Sequence, residues 1–331
     1  MSTLPRISVV IPTYNRSDVV ERTLRHLDAQ DYPADRYEII LVDNSTDATR
    51  AMVERFARTS RVPIRLMHLP ERLPAVKRNI GLRAATGDLV LFMNDDVWAR
   101  AQLLREHARS HAAANGELRA VLGHVEQSAE MPSTPFLEFY RPFAYHEIAD
   151  RADARVSSRY FWSMNLSLPR TAILERNLVF HEDWAEIGHE DVELGHRWAK
   201  AGGVIVYNPR AYVDHFHPHT LDSACRLQES IGRGLRDLEK LVPERDLLER
   251  YGVFSWRNSP RSVLRGLIRR ALFNGLTVPY LQRWLGRQER NSALTRWLYW
   301  KVMLHHTERG YRDAPVRSPR PVPIRAIGES S

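Results

Sequence analysis

The chain contains one cysteine, Cys225, among its 331 residues. A single thiol cannot form an internal disulfide, and a zinc or redox site of the CxxC type needs two, so both are excluded. No apolar run reaches the roughly 18 residues that a spanning helix needs, and the first residues have no apolar signal core. We therefore expect a cytoplasmic protein that has neither a transmembrane helix nor a secretory signal.

Glycine is missing where nucleotide-binding loops usually need it. The loop after the first predicted strand reads PTYNR (residues 12–16), so the GxGxxG dinucleotide pattern is absent, and GxxxxGK[ST] occurs nowhere in the chain. The backbone N–H groups of a Gly-rich loop therefore cannot neutralise the phosphates of a ligand. Another positively charged group must do so.

Hydrophobic residues make up 43% of the chain and charged residues 27%, a balance that is typical of globular proteins and excludes bulk disorder. The net charge of +8 is distributed unevenly. Residues 1–220 hold 27 basic and 29 acidic side chains, whereas residues 221–331 hold 21 basic and 11 acidic ones. Such a basic segment binds nucleic acid or an anionic membrane surface, or forms the solvated faces of packed helices.

The first hundred residues alternate short β-branched runs with amphipathic segments. Strands are predicted at 7–11, 38–42, 64–67 and 89–93. Helices are predicted from Ser17 through Leu27, at 47–59 and at 74–85. Because the two patterns alternate, the sequence predicts an α/β domain whose Rossmann-like, mostly parallel sheet has helices on both faces.

Beyond residue 100 the patterns are less regular. Helices are predicted at 102–115 and 190–201, and strands at 120–125, 159–168 and 204–207. Residues 221–312 then read as a mainly helical, basic extension. The proline-rich end, residues 313–331, is predicted to be a flexible tail.

Asp95 and Asp96 directly follow the strand predicted at 89–93. The carboxyl ends of strands are the ligand-binding edge of an open α/β sheet. Two adjacent carboxylates repel each other unless a cation shares them, and Mg²⁺ or Mn²⁺ suits oxygen ligands. The pair therefore indicates either a metal site or a solvated acidic turn.

Three acids, Glu190, Asp191 and Glu193, open the helix predicted at 190–201. They either complement the positive end of that helix or include a general base for an acceptor hydroxyl. Glu193 stands where the HExxH pattern needs its second histidine, so a zincin is excluded. A second cluster, His215, His217 and His219, would form a metal site if the alternation placed it on one strand face, but Pro218 interrupts a regular strand.

Together these segments resemble the family 2 glycosyltransferases of the GT-A fold. The resemblance covers roughly residues 5–220, and six motifs in the family's order are more specific than any one of them. The motifs are ISVVIPTYNR (7–16), EIILVDNSTDAT (38–49), KRNIGLRAATGDLVLFMNDDV (77–97), WSMNLSLPR (162–170), GHEDVELGHRWAKAGG (188–203) and YNPRAYVDH (207–215).

The resemblance implies a GT-A catalytic domain at 1–220, with a nucleotide-binding half at about 5–100 and an acceptor half at about 101–220. It implies an inverting transfer of a sugar from a nucleoside-diphosphate sugar, with a UDP-sugar favoured. The acceptor would be a hydroxyl of a glycan, a lipid-linked molecule or a small glycoside. A divalent cation, Mn²⁺ or Mg²⁺, would be the cofactor.

The resemblance also implies roles for single residues on the donor side. Pro12, Tyr14 and Asp43 would line the base pocket, and Arg78 would face the ribose or the diphosphate. Asn94 and Asp95 would contact the donor, while Asp96 and His215 would hold the metal. The family usually has an acid where this chain has Asn94, and an amide can accept a hydrogen bond from a ribose hydroxyl but adds no charge.

On the acceptor side, the resemblance makes Asp191 the catalytic base, with Glu190 orienting it or contacting the acceptor. Trp162, Asn165 and Trp184 would help to form the acceptor pocket. A single base without a second carboxylate nucleophile is consistent with inversion.

Other functions stay open at this point. A metal-dependent nucleotidyltransferase also places carboxylates at a strand end, although it would need a basic Gly-rich loop where PTYNR stands. A non-enzymatic nucleic-acid-binding or sugar-binding protein is a further alternative. The basic segment contains no recognisable nucleic-acid-reading motif, which disfavours a nucleic-acid partner.

The basic extension itself is amphipathic. Apolar residues at helical spacing are Leu264, Leu267, Ile268, Ala271 and Leu272, and the accompanying cations are Arg261, Arg265, Arg269 and Arg270. Further apolar residues are Trp284, Leu285, Leu294, Trp297, Leu298, Trp300, Val302 and Leu304. This composition predicts one of two arrangements: peripheral association with the inner face of a membrane, or packing of the helices onto the catalytic domain or into a homodimer.

Overall fold

A nine-stranded sheet forms the centre of the part of the chain that the computed structural model describes, residues 4–141, 145–184, 186–242, 260–315 and 322. In chain order the strands are β1 (Ile7–Thr13), β2 (Tyr37–Asp43), β3 (Ile64–His68), β4 (Leu89–Met93), β5 (Val97–Ala99), β6 (Arg119–Gln127), β7 (Arg155–Val156), β8 (Asn165–Pro169) and β9 (Val204–His215). Their order across the sheet is β3-β2-β1-β4-β8-β6-β9-β5, and β7 pairs with β9.

The helices alternate with the first strands and then dominate the end of the chain. They are α1 (Ser17–Asp28), α2 (Thr49–Ala57), α3 (Pro74–Ala84), α4 (Leu103–Ala112), α5 (Pro135–Phe139), α6 (Arg170–Glu175), α7 (Glu190–Lys200), α8 (Leu221–Leu241), α9 (Pro260–Leu272), α10 (Thr277–Leu285) and α11 (Ala293–Asp313). This arrangement confirms the predicted α/β class with a helical C-terminal region.

The parallel half of the sheet consists of β3, β2, β1 and β4. Every residue of β2 and β4 is buried, as expected for central strands that have helices on both faces. The four strands predicted in the first hundred residues are confirmed to within two residues at each end. These strands were predicted from short, largely apolar runs between helical patterns.

The other half is mixed. β8 runs antiparallel to β4 and β6, whereas β9 runs parallel to β6 and antiparallel to β5. The predicted strand at 204–207 was too short, because β9 passes an irregularity in its register opposite Gly123 and His124 and continues to His215.

The strand predicted at 159–168 is also corrected. Its first part forms a 3₁₀ turn at Ser158–Tyr160, and only Asn165–Pro169 pairs in the sheet as β8. Phe161 is fully buried at this turn because Gly195 of α7 lets the two segments approach closely. A Cβ at position 195 would lie 2.4 Å from the Cβ of Phe161.

The C-terminal helices dock through a close crossing of α8 and α11. A Cβ added at Gly232 would lie 2.1 Å from the carbonyl oxygen of Thr307, and one added at Gly310 would lie 2.0 Å from that of Glu229. Each helix therefore presents a glycine to the backbone of the other. Most of the predicted tail at 313–331 lies outside the described residues, except for the end of α11 and residues 314, 315 and 322.

No helix in the described ranges is both long enough and apolar enough to cross a lipid bilayer.

We predict that Gly310→Ala lowers the free energy of unfolding by about 1–3 kcal/mol, because a backbone carbonyl cannot move away as a side-chain end can. Helix propensity alone would make alanine stabilising at this position. Gly275→Ala is the control, since a Cβ there meets nothing within 4 Å. Urea denaturation measures both, and a Gly310→Ala protein as stable as the unsubstituted one would contradict the proposed crossing.

Candidate active site

The carboxyl ends of four neighbouring strands form a row of polar residues. In register, His68 of β3 lies beside Asp43 of β2, and Asp43 lies beside Thr13 of β1. The hydroxyl of Thr13 donates a hydrogen bond of 2.8 Å to Oδ2 of Asp95, which follows β4. The row therefore lies along the edge at which α/β sheets bind ligands.

Asp43 is fully buried at this edge. Its Oδ2 lies 2.8 Å from Nδ1 of His68, and its Oδ1 accepts a 2.9 Å hydrogen bond from the backbone N–H of Ser45. Tyr14, in the loop directly after β1, is 53% exposed. The structure thus brings the three predicted base-pocket residues, Pro12, Tyr14 and Asp43, to one edge, with an exposed aromatic ring beside a buried carboxylate.

Lys77 is a cation at this edge that the sequence interpretation did not single out. Its Nζ donates to the carbonyl oxygen of Thr13 at 2.7 Å and to Oδ1 of Asn44, and it lies 6.0 Å from the centre of the Tyr14 ring. Burial lowers the pKa of Lys77, and the charge of Asp43 opposes that shift. The available signal was that Lys77 is one of only four lysines in an arginine-rich chain.

Asp95 and Asp96 share the guanidinium of Arg16. Nη1 of Arg16 lies 3.0 Å from Oδ1 of Asp95 and 2.5 Å from Oδ2 of Asp96, while its Nη2 lies 2.8 Å from Nδ1 of His217. Burial and the neighbouring Asp96 raise the pKa of Asp95, against the charge of Arg16. Arg16 was quoted in a motif but given no role, because nothing in the sequence indicates that the loop after β1 reaches this pair.

Two imidazoles complete the cluster around Asp96. Nε2 of His215 lies 3.5 Å from Oδ1 of Asp96, and Nδ1 of His217 lies 2.7 Å from Oδ2. Burial would raise the pKa of Asp96, but His215, His217 and Arg16 outweigh it and hold the pKa well below its usual range.

This cluster is suited to a metal ion. One ligand atom from each of Asp96, His215 and His217 lies within 4.8 Å of the others. Oδ1 of Asp96 is buried and accepts no hydrogen bond from the described residues. A carboxylate with two imidazoles is a donor set that suits a first-row transition metal better than Mg²⁺, which prefers oxygen ligands.

The three histidines do not share one strand face, in agreement with the interruption that Pro218 indicated. β9 ends at His215, and His217 reaches Asp96 from the loop that follows. His219 instead stacks on His217 at 3.9 Å and places its Nδ1 3.3 Å from the hydroxyl of Ser223. Pro218 separates the two imidazoles of the cluster from the third.

Asp191 lies at the start of α7, behind a turn with left-handed backbone. Gly188 has φ 118° and His189 has φ 69°, a conformation that is strained for a residue with a side chain. The carboxylate of Asp191 accepts hydrogen bonds from the backbone N–H groups of Val192 at 2.8 Å and Ser163 at 3.3 Å. Burial, assisted by the charge of Glu190, raises the pKa of Asp191 to about 7. A general base works best with a pKa near the operating pH.

Glu190 connects this turn to the donor side of the site. Its Oε1 accepts a 3.1 Å hydrogen bond from Nη1 of Arg78, and its Oε2 accepts one of 2.9 Å from the backbone N–H of Gly188. Nη2 of Arg78 donates at 3.1 Å to Oδ1 of Asn94. Asn94, the amide in place of the family's usual acid, therefore holds Arg78 in this structure.

Trp162 directly precedes Ser163, whose backbone N–H donates a hydrogen bond to Asp191. Its ring contacts Tyr145 at 4.8 Å and Tyr160 at 5.2 Å between centroids. Burial, together with the neighbouring Tyr207 and Asp191, raises the pKa of Tyr145 well above its usual range. Tyr145 therefore lies near Asp191 as well, and no motif indicated it.

Two predicted acceptor residues are structural instead. Asn165 is fully buried, and its Nδ2 donates to the carbonyl oxygens of His124 and Ala211 at 3.1 and 2.9 Å. Its Oδ1 lies 2.9 Å from Nε2 of His107, so the amide joins β6, β8, β9 and α4. The prediction that Asn165 contacts an acceptor is wrong, since its polar atoms are committed to the fold.

Trp184 is 2% exposed and belongs to a core cluster between α7 and α8. Its Nε1 donates a 2.7 Å hydrogen bond to the carbonyl oxygen of Gly188. The side chain therefore supports the turn before Asp191 from the protein interior, and the prediction that it lines the acceptor pocket is wrong. The sequence showed a tryptophan near the motif but not the side of the turn on which it packs.

Comparisons with known proteins find proteins that are similar to this chain in sequence and in structure. The family model described as "Glycosyl transferase family 2" matches residues 8–155. Validoxylamine A glucosyltransferase from Streptomyces hygroscopicus subsp. jinggangensis is 30% identical over 269 residues, which cover 73% of this chain and 63% of that protein. Poly(ribitol-phosphate) beta-N-acetylglucosaminyltransferase TarS from Staphylococcus aureus is 31% identical over 209 residues, 62% of this chain and 35% of TarS. The chain thus spans less than two thirds of these two relatives.

Solved structures show the same fold. The mannosyltransferase PcManGT from Pyrobaculum calidifontis, in complex with GDP-Man and Mn²⁺, has a TM-score of 0.64 at 20% identity and covers 94% of this chain and 88% of its own. Residues 1–349 of S. aureus TarS in complex with UDP have a TM-score of 0.54 at 17% identity, covering 93% of this chain and 91% of that one.

We predict that Arg16→Met binds Mn²⁺ about tenfold more tightly than the unsubstituted protein, because a cation at Asp96 and His217 competes with the guanidinium for the same atoms. Titration calorimetry with MnCl₂ alone measures this. Arg25→Met on α1, where Arg25 is exposed and paired with Glu21, is the control. Added Mn²⁺ should also raise the melting temperature of Arg16→Met more than that of the control. Equal or weaker Mn²⁺ binding by Arg16→Met would contradict the competition.

Proposed function

The chain belongs to glycosyl transferase family 2 and has the GT-A fold, and from this premise we propose that it transfers a sugar from a nucleoside-diphosphate sugar to an acceptor hydroxyl with inversion at the anomeric carbon. The observation that carries the proposal is Asp191, a carboxylate with a pKa of about 7, connected through Glu190 and Arg78 to the acidic cluster after β4. These contacts support the proposal because they would connect a general base to the site of the leaving group.

The donor would bind along the strand ends. Tyr14 offers an exposed ring to a nucleobase and Pro12 lies at the same edge, while Asp43, buried at this edge, would accept a base N–H. TarS is solved with UDP and PcManGT with GDP-Man, which supports a nucleoside diphosphate as the ligand class. We favour a UDP-sugar.

The diphosphate would lie among cations, as the absence of a Gly-rich loop requires. Lys77, Arg78 and Arg16 all reach this edge. Asp96, His215 and His217 would hold a divalent cation, for which the Mn²⁺ complex of PcManGT is a precedent. Such a cation, when bound, stabilises the negative charge that develops on a departing diphosphate. We propose Mn²⁺ in preference to Mg²⁺ because two of the three donors are imidazoles.

Asp191 would remove the proton of the attacking hydroxyl. Both oxygens of Glu190 already accept hydrogen bonds, from Arg78 and from the N–H of Gly188, so Glu190 positions the turn and does not act as a second nucleophile. A single base without a carboxylate nucleophile gives a single displacement, and hence inversion. The acceptor hydroxyl must come within hydrogen-bond reach of Asp191.

The acceptor would meet aromatic side chains beside the base. Trp162 is partly exposed, and Tyr145 and Tyr160 pack against its ring. Flat apolar rings with a few polar groups are suited to the faces of a sugar ring. We therefore propose a hydroxyl acceptor that carries a sugar or a similar ring, bound at Trp162.

The alternatives drawn from the sequence receive less support. The family assignment argues against a nucleotidyltransferase. A non-enzymatic sugar-binding protein would not need the raised pKa of Asp191. The release of a nucleoside diphosphate from UDP-sugars and GDP-sugars with Mn²⁺, with and without glycoside acceptors, would distinguish an enzyme from a binding protein.

We predict that Asp191→Asn lowers the rate of transfer by about 10²–10⁴-fold, since an amide keeps the shape of the side chain but cannot take a proton. Binding of UDP in the presence of Mn²⁺ should stay unchanged, because the nucleotide contacts lie at the strand ends. Asp150→Asn, an exposed change on the acceptor half, is the matched control. A rate within about threefold of the control would remove Asp191 from the mechanism.

A second prediction concerns the dependence of the transfer rate on pH. The base must be deprotonated, so the rate should rise with pH and level off above about 7, the raised pKa of Asp191. Burial is the main cause of that pKa and the charge of Glu190 the next, so Glu190→Gln should move the acidic limb of the kcat/KM profile to lower pH. A limb that stays in place, or moves to higher pH, would contradict the assignment of this limb to Asp191.

A further inference from the structure

The helix α9 turns its apolar side away from the protein. Leu264, Leu267, Ile268 and Leu272 share one helical face, and each is 51–59% exposed. The opposite side of the helix is the docked one, where Arg269 pairs with Glu308 of α11 and Phe273, just past the helix end, is buried. A helix on the surface of a soluble protein normally has the reverse orientation.

The next two helices repeat this arrangement. On α10, Tyr280 and Trp284 are 71% and 44% exposed, while the inward residues pack with α11. On α11, Trp297 and Trp300 are 45% and 49% exposed. The ring of Trp297 lies 5.7 Å from that of Phe273, so the outward side of α11 adjoins the end of α9. Contiguous exposed apolar side chains in such number mark an interaction site.

The charge of this surface is strongly one-sided. Residues 260–307 contain nine arginines and lysines and one acid, Glu289. Arg270, Arg283 and Arg296 are exposed among the apolar side chains, and Nζ of Lys301 lies 3.9 Å from the centre of the Trp300 ring. If two copies of this surface met in a homodimer, their cations would repel each other and each copy would contribute only one acid. Charge complementarity therefore disfavours a homodimer.

We propose that this surface, formed by α9, α10 and the first turns of α11 and here named the C-terminal surface, binds an anionic lipid bilayer. Leucine and tryptophan opposite arginine are the composition of a helix that lies in the headgroup region. Exposed tryptophans fit the membrane–water interface, and the cations complement anionic headgroups. The exposed apolar side chains occupy one side of each helix, so the surface would lie on the membrane and not span it. The proposal is independent of the transferase activity.

Vesicle flotation tests whether the C-terminal surface binds an anionic bilayer. The full chain should float with vesicles of phosphatidylcholine and phosphatidylglycerol at about 50 mM salt, and should stay at the bottom with phosphatidylcholine alone. Raising the salt to about 500 mM should weaken the binding, since charge attraction is screened. Failure to float with anionic vesicles at low salt would overturn the proposal.

A separate variant tests how much the exposed apolar side chains contribute to vesicle binding. The triple substitution Leu264→Gln, Leu267→Gln and Leu272→Gln keeps every charge and should lower the vesicle-bound fraction at least tenfold. All three side chains are exposed, so the melting temperature, which reports on folding, should stay unchanged. Leu4→Gln, an exposed leucine elsewhere, is the control. Unchanged flotation of the triple variant, or a salt-resistant dimer in light scattering that the triple variant abolishes, would overturn a lipid-binding surface.

Discussion

The guanidinium of Arg78, buried between Asn94 and Glu190, is the contact on which the arrangement of the candidate site depends. Arg78 comes from α3 of the parallel half, Asn94 follows β4, and Glu190 opens α7, 112 residues after Arg78, so one side chain joins the first half of the sheet to α7. A buried arginine is tolerated only when it is paired. Glu190 in turn holds the N–H of Gly188, which fixes the left-handed turn that presents Asp191.

The same contact adjusts the charge at the base. Asp191 is buried beside Glu190, and two close carboxylates would together favour protonation strongly. The charge of Arg78 opposes this effect, so the pKa of Asp191 stays near 7. The acidic cluster after β4 follows the same principle, with the guanidinium of Arg16 balancing Asp95 and Asp96. In both clusters an arginine performs the neutralisation that backbone N–H groups perform in Gly-rich loops.

The sequence was most informative where periodicity and chain position determine a residue's place. β1 to β4 were predicted from short, largely apolar runs, and Asp95 and Asp96 became candidates because they follow a strand at its carboxyl end. Tyr14 and Asp43 were candidates only through the resemblance to family 2 glycosyltransferases. Asn165 and Trp184 were misassigned because a motif gives a residue's position along the chain and not the side on which it packs. Arg16 and His217 reach the cluster from loops whose paths no pattern encodes. Tyr145 depends on an irregular segment that has no periodicity at all.

The C-terminal helices show most clearly that a sequence pattern does not determine which side of a helix packs against the protein. From the sequence, an apolar face beside arginines fits burial against the protein as well as it fits lipid. In the structure the docking positions are already taken, so the apolar face of α9 stays exposed: Gly232 and Gly310 bring α8 against α11, and Arg269 binds Glu308. Nε2 of Gln282 on α10 donates at 2.9 Å to Oδ1 of Asp222, near the start of α8 and directly after the loop that carries His217. The C-terminal surface is therefore attached to the candidate cation site by a short, hydrogen-bonded connection, so a bilayer bound there would hold the active site at a defined position relative to the lipid.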